Sequence, residues 1–223
     1  MGSRTLPLSR VARHLDEAHL LRATQGNQNV DVRGVSQDSR EISTGDLFLA
    51  WRGVDHDGHD YVASAVEAGA VAAVVEHLLP EVDVGQLQVT DGRFAGALAA
   101  DLVMGSPWTD LFLTGITGTN GKTTVTALSR HLLGLRGPAR AVGTLGLIEE
   151  DGTPRAGSEG LTTPGPVRIS SWLREMVDEG TEYVALEASS HALAQRRLDG
   201  TRMDVAVFTN LTQDHLDYHA DLD

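Results

Sequence analysis

The 223 residues are 41% hydrophobic and contain no cysteine, a size and balance that allow one large or two small cores and leave carboxylates, histidines and hydroxyls to carry any chemistry. Thirty-one Asp and Glu against 18 Lys and Arg give a formal charge of −13, which repels a nucleic-acid backbone, and no Lys/Arg cluster offsets it. No apolar run reaches the about 18 residues that a membrane span needs, and no basic segment leads into an apolar stretch at the N-terminus, so neither membrane insertion nor secretion is expected and the cytoplasm is the default.

In chain order, "PLSRVARHL" has helical spacing, with Ser9 near its start, and "NVDVRGVSQDSR" alternates like a strand. "GDLFLAW" is a short apolar run after a turn. "DGHDYVASAVEAGA" spaces Tyr61, Val62, Ala65 and Val66 as a helix does, and it leads into the β-branched "VAAVVE". "LQVT" and "DGRFAGALAADLVM" repeat strand then helix. The turn-rich "GSPWTD", Gly105 to Asp110, marks a boundary, which divides the chain into residues 1–106 and 107–223.

Beyond it come strand "LFLTGIT", helix "KTTVTALSRHLLGL", strand "ARAVGTLG", a Gly/Pro-rich loop from Glu149 to Pro166, helix "VRISSWLREMVDEG", and strands "EYVALEA" and "MDVAVFTN". Strands alternating with helices predict an α/β fold built on a parallel sheet covered on both faces. Ligands of such sheets sit at the carboxyl ends of the strands. The candidates are therefore Gly118–Thr124, Glu187–His191 and Thr209–His219.

The first of these, in "GITGTNGKTTV", is a glycine-rich turn between a strand and a helix. Such a turn points free N–H groups at one spot, with the positive end of the helix dipole behind them, which suits an anion. Lys122, the only lysine in the chain, adds a mobile charge, and Thr123 a hydroxyl able to reach a metal ion. Against G-x-x-x-x-G-K-[ST] the match is partial: Ile116 stands where the first glycine would be. At the other strand ends stand Glu187 and His191, then Asp214, His215, Asp217 and His219. Carboxylates and imidazoles beside a triphosphate are suited to Mg²⁺.

"GITGTNGKTT", "LEASSHAL" and "VFTNLTQDHLDYH", in this order and spacing, resemble the Mur ligase family, in particular its UDP-N-acetylmuramoyl-tripeptide synthetase branch. The upstream "SQDSREISTGDLFLAWRGVDHDGHDYVASAVEAGAVAAVVE" is similar to that branch's N-terminal, UDP-binding domain. The resemblance implies an N-terminal α/β substrate domain followed by the first part of a P-loop parallel-sheet ATP-binding domain. It also implies an ATP-dependent amide ligase of peptidoglycan synthesis. In that reaction a carboxylate of the UDP-N-acetylmuramoyl-peptide attacks the γ-phosphate and releases ADP, and the amine of an amino acid then displaces phosphate from the resulting acyl phosphate.

By the same resemblance Gly118, Thr119, Asn120, Gly121, Lys122, Thr123 and Thr124 hold ATP, and Thr123, Glu187 and His215 hold Mg²⁺. Lys122, Glu187 and His215 form the catalytic set. Ser39, Thr162, Thr163, Ser189, Gln195 and Arg197 match positions that hold the UDP-sugar-peptide, Arg197 being a natural anion partner. The sequence departs from the family at "TTPGP", where an acidic residue commonly follows the proline. The family's metal-binding lysine and amino-acid-binding domain are expected beyond Asp223, so the chain reads as the N-terminal portion of such an enzyme. Two other readings are a nucleotide- or UDP-sugar-binding module without ligase activity and an ordinary P-loop kinase or GTPase. The second is disfavoured by Ile116 and by the absence of a clear D-x-x-G or N-K-x-D segment.

Overall fold

Two successive strand–helix arrays each close around their own apolar residues. A computed structural model describes residues 5–53, 56–155, 157 and 160–212, and the chain divides into two compact units, Met1–Ser106 and Pro107–Asp223.

In the first unit, β1 (Leu6–Pro7) leads into α1 (Leu8–Glu17), followed by β2 (Leu21–Gln25), β3 (Asp31–Val32), β4 (Gly34–Ser36) and β5 (Asp46–Leu49). Then come α2 (Val62–Ala68), β6 (Ala72–Val75), β7 (Gly85–Val89) and α3 (Gly92–Val103). The five-stranded sheet runs β2-β7-β6-β5-β4, parallel from β4 to β7 with β2 antiparallel at the edge. Every residue of β5 and β6 is buried, as expected of parallel strands covered on both faces. Phe48, Val62, Ala65, Ala73 and Val75 form one core cluster. The Asp91 carboxylate caps α3 by accepting from the Phe94 N–H at 3.0 Å. Strand β2 is not among the elements expected from the sequence, because the alternation of Leu21 and Ala23 with Arg22 and Thr24 is too short to stand out.

The second unit contains β8 (Phe112–Thr117), α4 (Lys122–Leu133), β9 (Ala139–Gly143), β10 (Gly146–Ile148), β11 (Pro154–Arg155), α5 (Pro166–Asp178), β12 (Tyr183–Glu187), α6 (Ser190–Ala194) and β13 (Val205–Phe208). Its sheet order is β11-β10-β9-β12-β8-β13. Strands β9, β12, β8 and β13 are parallel, so their carboxyl ends share one edge. Proline at the first position of α5 supplies a preset φ where no intrahelical N–H is needed. That helix buries Ile169, Trp172, Leu173 and Met176 against Leu113, Val184 and Leu186, each large side chain contributing roughly 1.5–3 kcal/mol by burial. On the opposite face, Ile116, Ala141 and Ala185 pack against Val125 of α4.

Two features differ from the sequence expectation. The stretch "ARAVGTLG" is not one strand: the chain turns after Gly143 and returns as β10, antiparallel to β9, and β11 adds to it from within the expected loop. Among the described residues, the sheet is also not covered throughout. Strand β13 lies at its edge, with Val205 41% and Phe208 63% exposed. No helix among the described residues is long and apolar enough to cross a membrane.

Candidate nucleotide and metal site

Strand β8 ends at Thr117, and the loop Gly118–Gly121 delivers the chain to α4. Gly118 has φ +130°, and a Cβ there would lie 2.1 Å from the Thr209 Oγ1 and 2.8 Å from the Asn210 carbonyl oxygen. Both its conformation and its crowding demand glycine. Ile116, by contrast, is fully buried in the core, which explains why the general pattern's first glycine is not at that position. Helix α4 begins after Gly121, which has no side chain to cap it. Helix geometry therefore leaves the N–H groups of Lys122, Thr123 and Thr124 without intrahelical acceptors, aimed out of the loop. The Lys122 Nζ folds back over the loop and donates to the carbonyls of Gly118 (2.7 Å) and Thr119 (3.0 Å).

The neighbouring strand ends bring oxygen ligands to the same edge. Glu187 pairs in register with Ile116 across β12 and β8. Its carboxylate accepts from the Thr123 hydroxyl at 3.1 Å, from the Thr144 N–H at 3.0 Å and from the Thr144 hydroxyl at 3.2 Å. Gly143 makes room for it, since a Cβ at that position would lie 2.1 Å from the Glu187 Oε1. Glu187 is 1% exposed, and none of the described ion pairs includes it. A buried carboxylate is costly without a compensating cation. With two hydroxyls converging on it, the donor set is hard and all-oxygen, as Mg²⁺ prefers. No group of three His, Cys, Asp or Glu side chains gathers among the described residues, so the hydroxyls are essential to this fit.

The loop before α5 joins the same network. The Thr162 Oγ1 lies 3.2 Å from the Thr144 Oγ1. Thr163 is fully buried: its hydroxyl donates to the Glu187 carbonyl at 2.7 Å and accepts from the Ser189 N–H at 3.0 Å. The Ser189 side chain caps α6 by accepting from the Ala192 N–H. Arg197 donates to the Thr163 carbonyl at 2.6 Å and to the Gln195 Oε1 at 2.7 and 3.1 Å. Thr123, Thr162, Thr163, Glu187, Ser189, Gln195 and Arg197 thus form one connected cluster. Ser39 opens a short 3₁₀ turn in the first unit, capped by Asp38. Asp214, His215, Asp217 and His219 lie outside the described residues. The residue that sequence reasoning missed is Thr144: it sits in the middle of what reads as a continuous strand, and only the turn after β9 brings it to the site.

Two family models match, one described as the Mur ligase middle domain over residues 116–223 and one as the Mur ligase family, catalytic domain, over residues 31–100. The chain belongs to the Mur ligase family. It is 44% identical over 207 residues to the UDP-N-acetylmuramoyl-L-alanyl-D-glutamate–2,6-diaminopimelate ligase of Geobacter sulfurreducens, covering 90% of this chain and 39% of that one. The enzyme of the same name from Geobacillus kaustophilus is 44% identical over 195 residues, covering 87% and 39%. This Mur ligase chain therefore spans about 39% of the length of these curated relatives. A solved ligase of that name superposes with a TM-score of 0.80 at 26% identity, covering 98% of this chain and 43% of its own. The fold is also shared with a MurF ligase from Thermotoga maritima, at a TM-score of 0.56 and 23% identity, over 86% of this chain and 40% of that one.

Proposed function

We propose that the protein to which this chain belongs is an ATP- and Mg²⁺-dependent amide ligase of peptidoglycan synthesis, adding an amino acid to UDP-N-acetylmuramoyl-dipeptide through an acyl phosphate. The observation that carries the reading is the meeting of the Lys122 loop and the buried Glu187 carboxylate at one sheet edge. In it, the N–H groups at the start of α4 and Lys122 hold the nucleotide phosphates, where preorganised charge lowers the barrier to phosphoryl transfer. Thr123 and Glu187 hold Mg²⁺, which supplies neutralisation of the phosphate charge, and Thr144 joins them as a further oxygen donor. His215 keeps its metal role by resemblance to the family.

The first unit, residues 1–106, is the UDP-binding domain in this reading, with Ser39 among its contacts. Thr162, Ser189, Gln195 and Arg197 face the substrate peptide. Thr163 is assigned a holding role instead, because its buried hydroxyl is committed to Glu187 and Ser189. The relatives' names specify 2,6-diaminopimelate as the amino acid, which makes it the first to assay, and the cytoplasm, with its ATP supply, is the compartment implied. A binding module without ligase activity is not favoured, since the relatives that match across both units are named as ligases. The test is ADP release by the product of the complete reading frame. Release that requires both UDP-N-acetylmuramoyl-dipeptide and an amino acid supports the proposal, and release indifferent to either contradicts it.

A further inference from the structure

Three of the four residues after β13, Thr209, Asn210 and Thr212, grip the Lys122 loop, and one side chain does most of the gripping. The Asn210 carboxamide engages both polar ends of Asn120: its Oδ1 accepts from the Asn120 N–H at 3.1 Å, and its Nδ2 donates to the Asn120 carbonyl at 3.0 Å. The Asn210 carbonyl accepts from the Thr119 N–H at 2.9 Å. Thr209 adds a hydroxyl bond to the Asn120 carbonyl at 2.7 Å, while Thr212 and the Thr119 hydroxyl bond each other reciprocally. The loop is thereby paired to the end of β13 as if the two strands continued, although neither does.

We propose that Asn210 is a positioning residue for nucleotide binding, one that acts through Asn120 and Thr119 and makes no phosphate contact of its own. The inference rests on the nucleotide reading of the Lys122 loop. Its chemical basis is that the loop's N–H groups are a limited supply. Those of Thr119 and Asn120 are committed to Asn210, so phosphate is left to the N–H groups at the start of α4, and the loop is fixed before the ligand arrives. A preformed loop loses less conformational freedom on binding. Only a carboxamide does this in full: a carboxylate can accept from the Asn120 N–H but cannot donate to the Asn120 carbonyl, and it would add negative charge beside the phosphates. Because Asn210 is exposed, its truncation leaves no core cavity.

The test compares wild type, Asn210→Ala, Asn210→Asp and Lys122→Ala in the product of the complete reading frame, measuring Mg-ADP affinity by calorimetry, thermal midpoint, and amide exchange at Thr119 and Asn120. The expected result is about a tenfold loss of ADP affinity in Asn210→Ala and a larger loss in Asn210→Asp, with near-wild-type midpoints and faster exchange at the Asn120 amide in Asn210→Ala. A merely structural role would instead lower the midpoint and leave ADP affinity unchanged below it, which overturns the proposal. If wild type binds ADP and only Lys122→Ala weakens it, the positioning role fails and the nucleotide reading stands. If wild type binds no ADP, the nucleotide reading fails and takes the positioning role with it. Unaltered exchange at Asn120 in Asn210→Ala overturns the grip itself.

Discussion

The Thr123 hydroxyl, on the first turn of α4, donates to the Glu187 carboxylate at 3.1 Å across 64 positions of sequence. It joins the Lys122 loop to the only buried carboxylate at this strand edge among the described residues. Glu187→Gln can keep the local bonds, since an amide oxygen still accepts from the Thr144 N–H and an amide nitrogen can donate to the hydroxyls. It removes the uncompensated charge. The ligand-free variant is expected to melt at or above the wild-type temperature, whereas the gain in ADP affinity on adding Mg²⁺ falls by about tenfold or more. Calorimetry with and without Mg²⁺ checks the second effect, and a retained Mg²⁺ dependence would remove Glu187 from the metal site.

Gly143→Ala places a methyl group into the space that the Glu187 carboxylate occupies, at 2.1 Å from its Oε1. Overpacking of this kind costs about 1–3 kcal/mol, and here it also displaces the carboxylate proposed to hold Mg²⁺. A lowered thermal midpoint together with weakened Mg²⁺ dependence is expected. Loss of stability alone would show that the carboxylate can move aside without consequence.

Thr163→Val keeps the shape of a fully buried side chain and deletes the hydroxyl that links the Glu187 carbonyl to the Ser189 N–H. Leaving those buried groups unpaired costs about 1–3 kcal/mol, seen in denaturant unfolding. If Thr163 instead reads substrate, stability stays unchanged and only substrate affinity falls.

Acid should loosen the first unit. The side-chain hydrogen bond with His59, at 2.5 Å, holds the Asp57 carboxyl below its ordinary value, helped by the His59 N–H. A depressed carboxyl pKa contributes stability that is present above the unfolded value, near 3.8, and is lost as pH falls through the folded one. Asp46 has the opposite sign: burial raises its carboxyl, so its contribution is present at low pH and fades as pH rises through its folded value. Asp57→Asn retains the cap on the His59 N–H and loses the charge. Its thermal midpoint should lie below wild type at pH 7 and converge with it toward pH 3, and parallel curves would exclude the charge from the effect.

The strand–helix alternation, the Gly105–Asp110 break and the loop around Lys122 are legible in the sequence because each has a local cause: apolar period, turn chemistry, or a glycine-rich strand-to-helix junction. The hairpin after Gly143 is not, since the turn leaves an apolar run almost uninterrupted and is fixed by bonds to Glu187, 43 positions away. For the same reason Thr144 escapes notice, as does the commitment of the Thr163 hydroxyl to Glu187 and Ser189. Pattern assigns residues to the site, but only the fold shows which of them bond one another. The grip of Asn210 on Asn120 spans 90 positions and carries no local signal either.

The most direct test of the whole account is Mg-ADP affinity in wild type and Lys122→Ala, with circular dichroism confirming that both are folded. The Lys122 Nζ bonds only loop carbonyls among the described residues, so its loss should leave the core intact. Removing a charge-assisted phosphate contact costs roughly 1.5–3 kcal/mol, or about ten- to a hundredfold in affinity. That loss, in a folded variant, is the predicted result. Equal ADP affinity in the two proteins would contradict the phosphate-loop assignment and the ligase mechanism built on it.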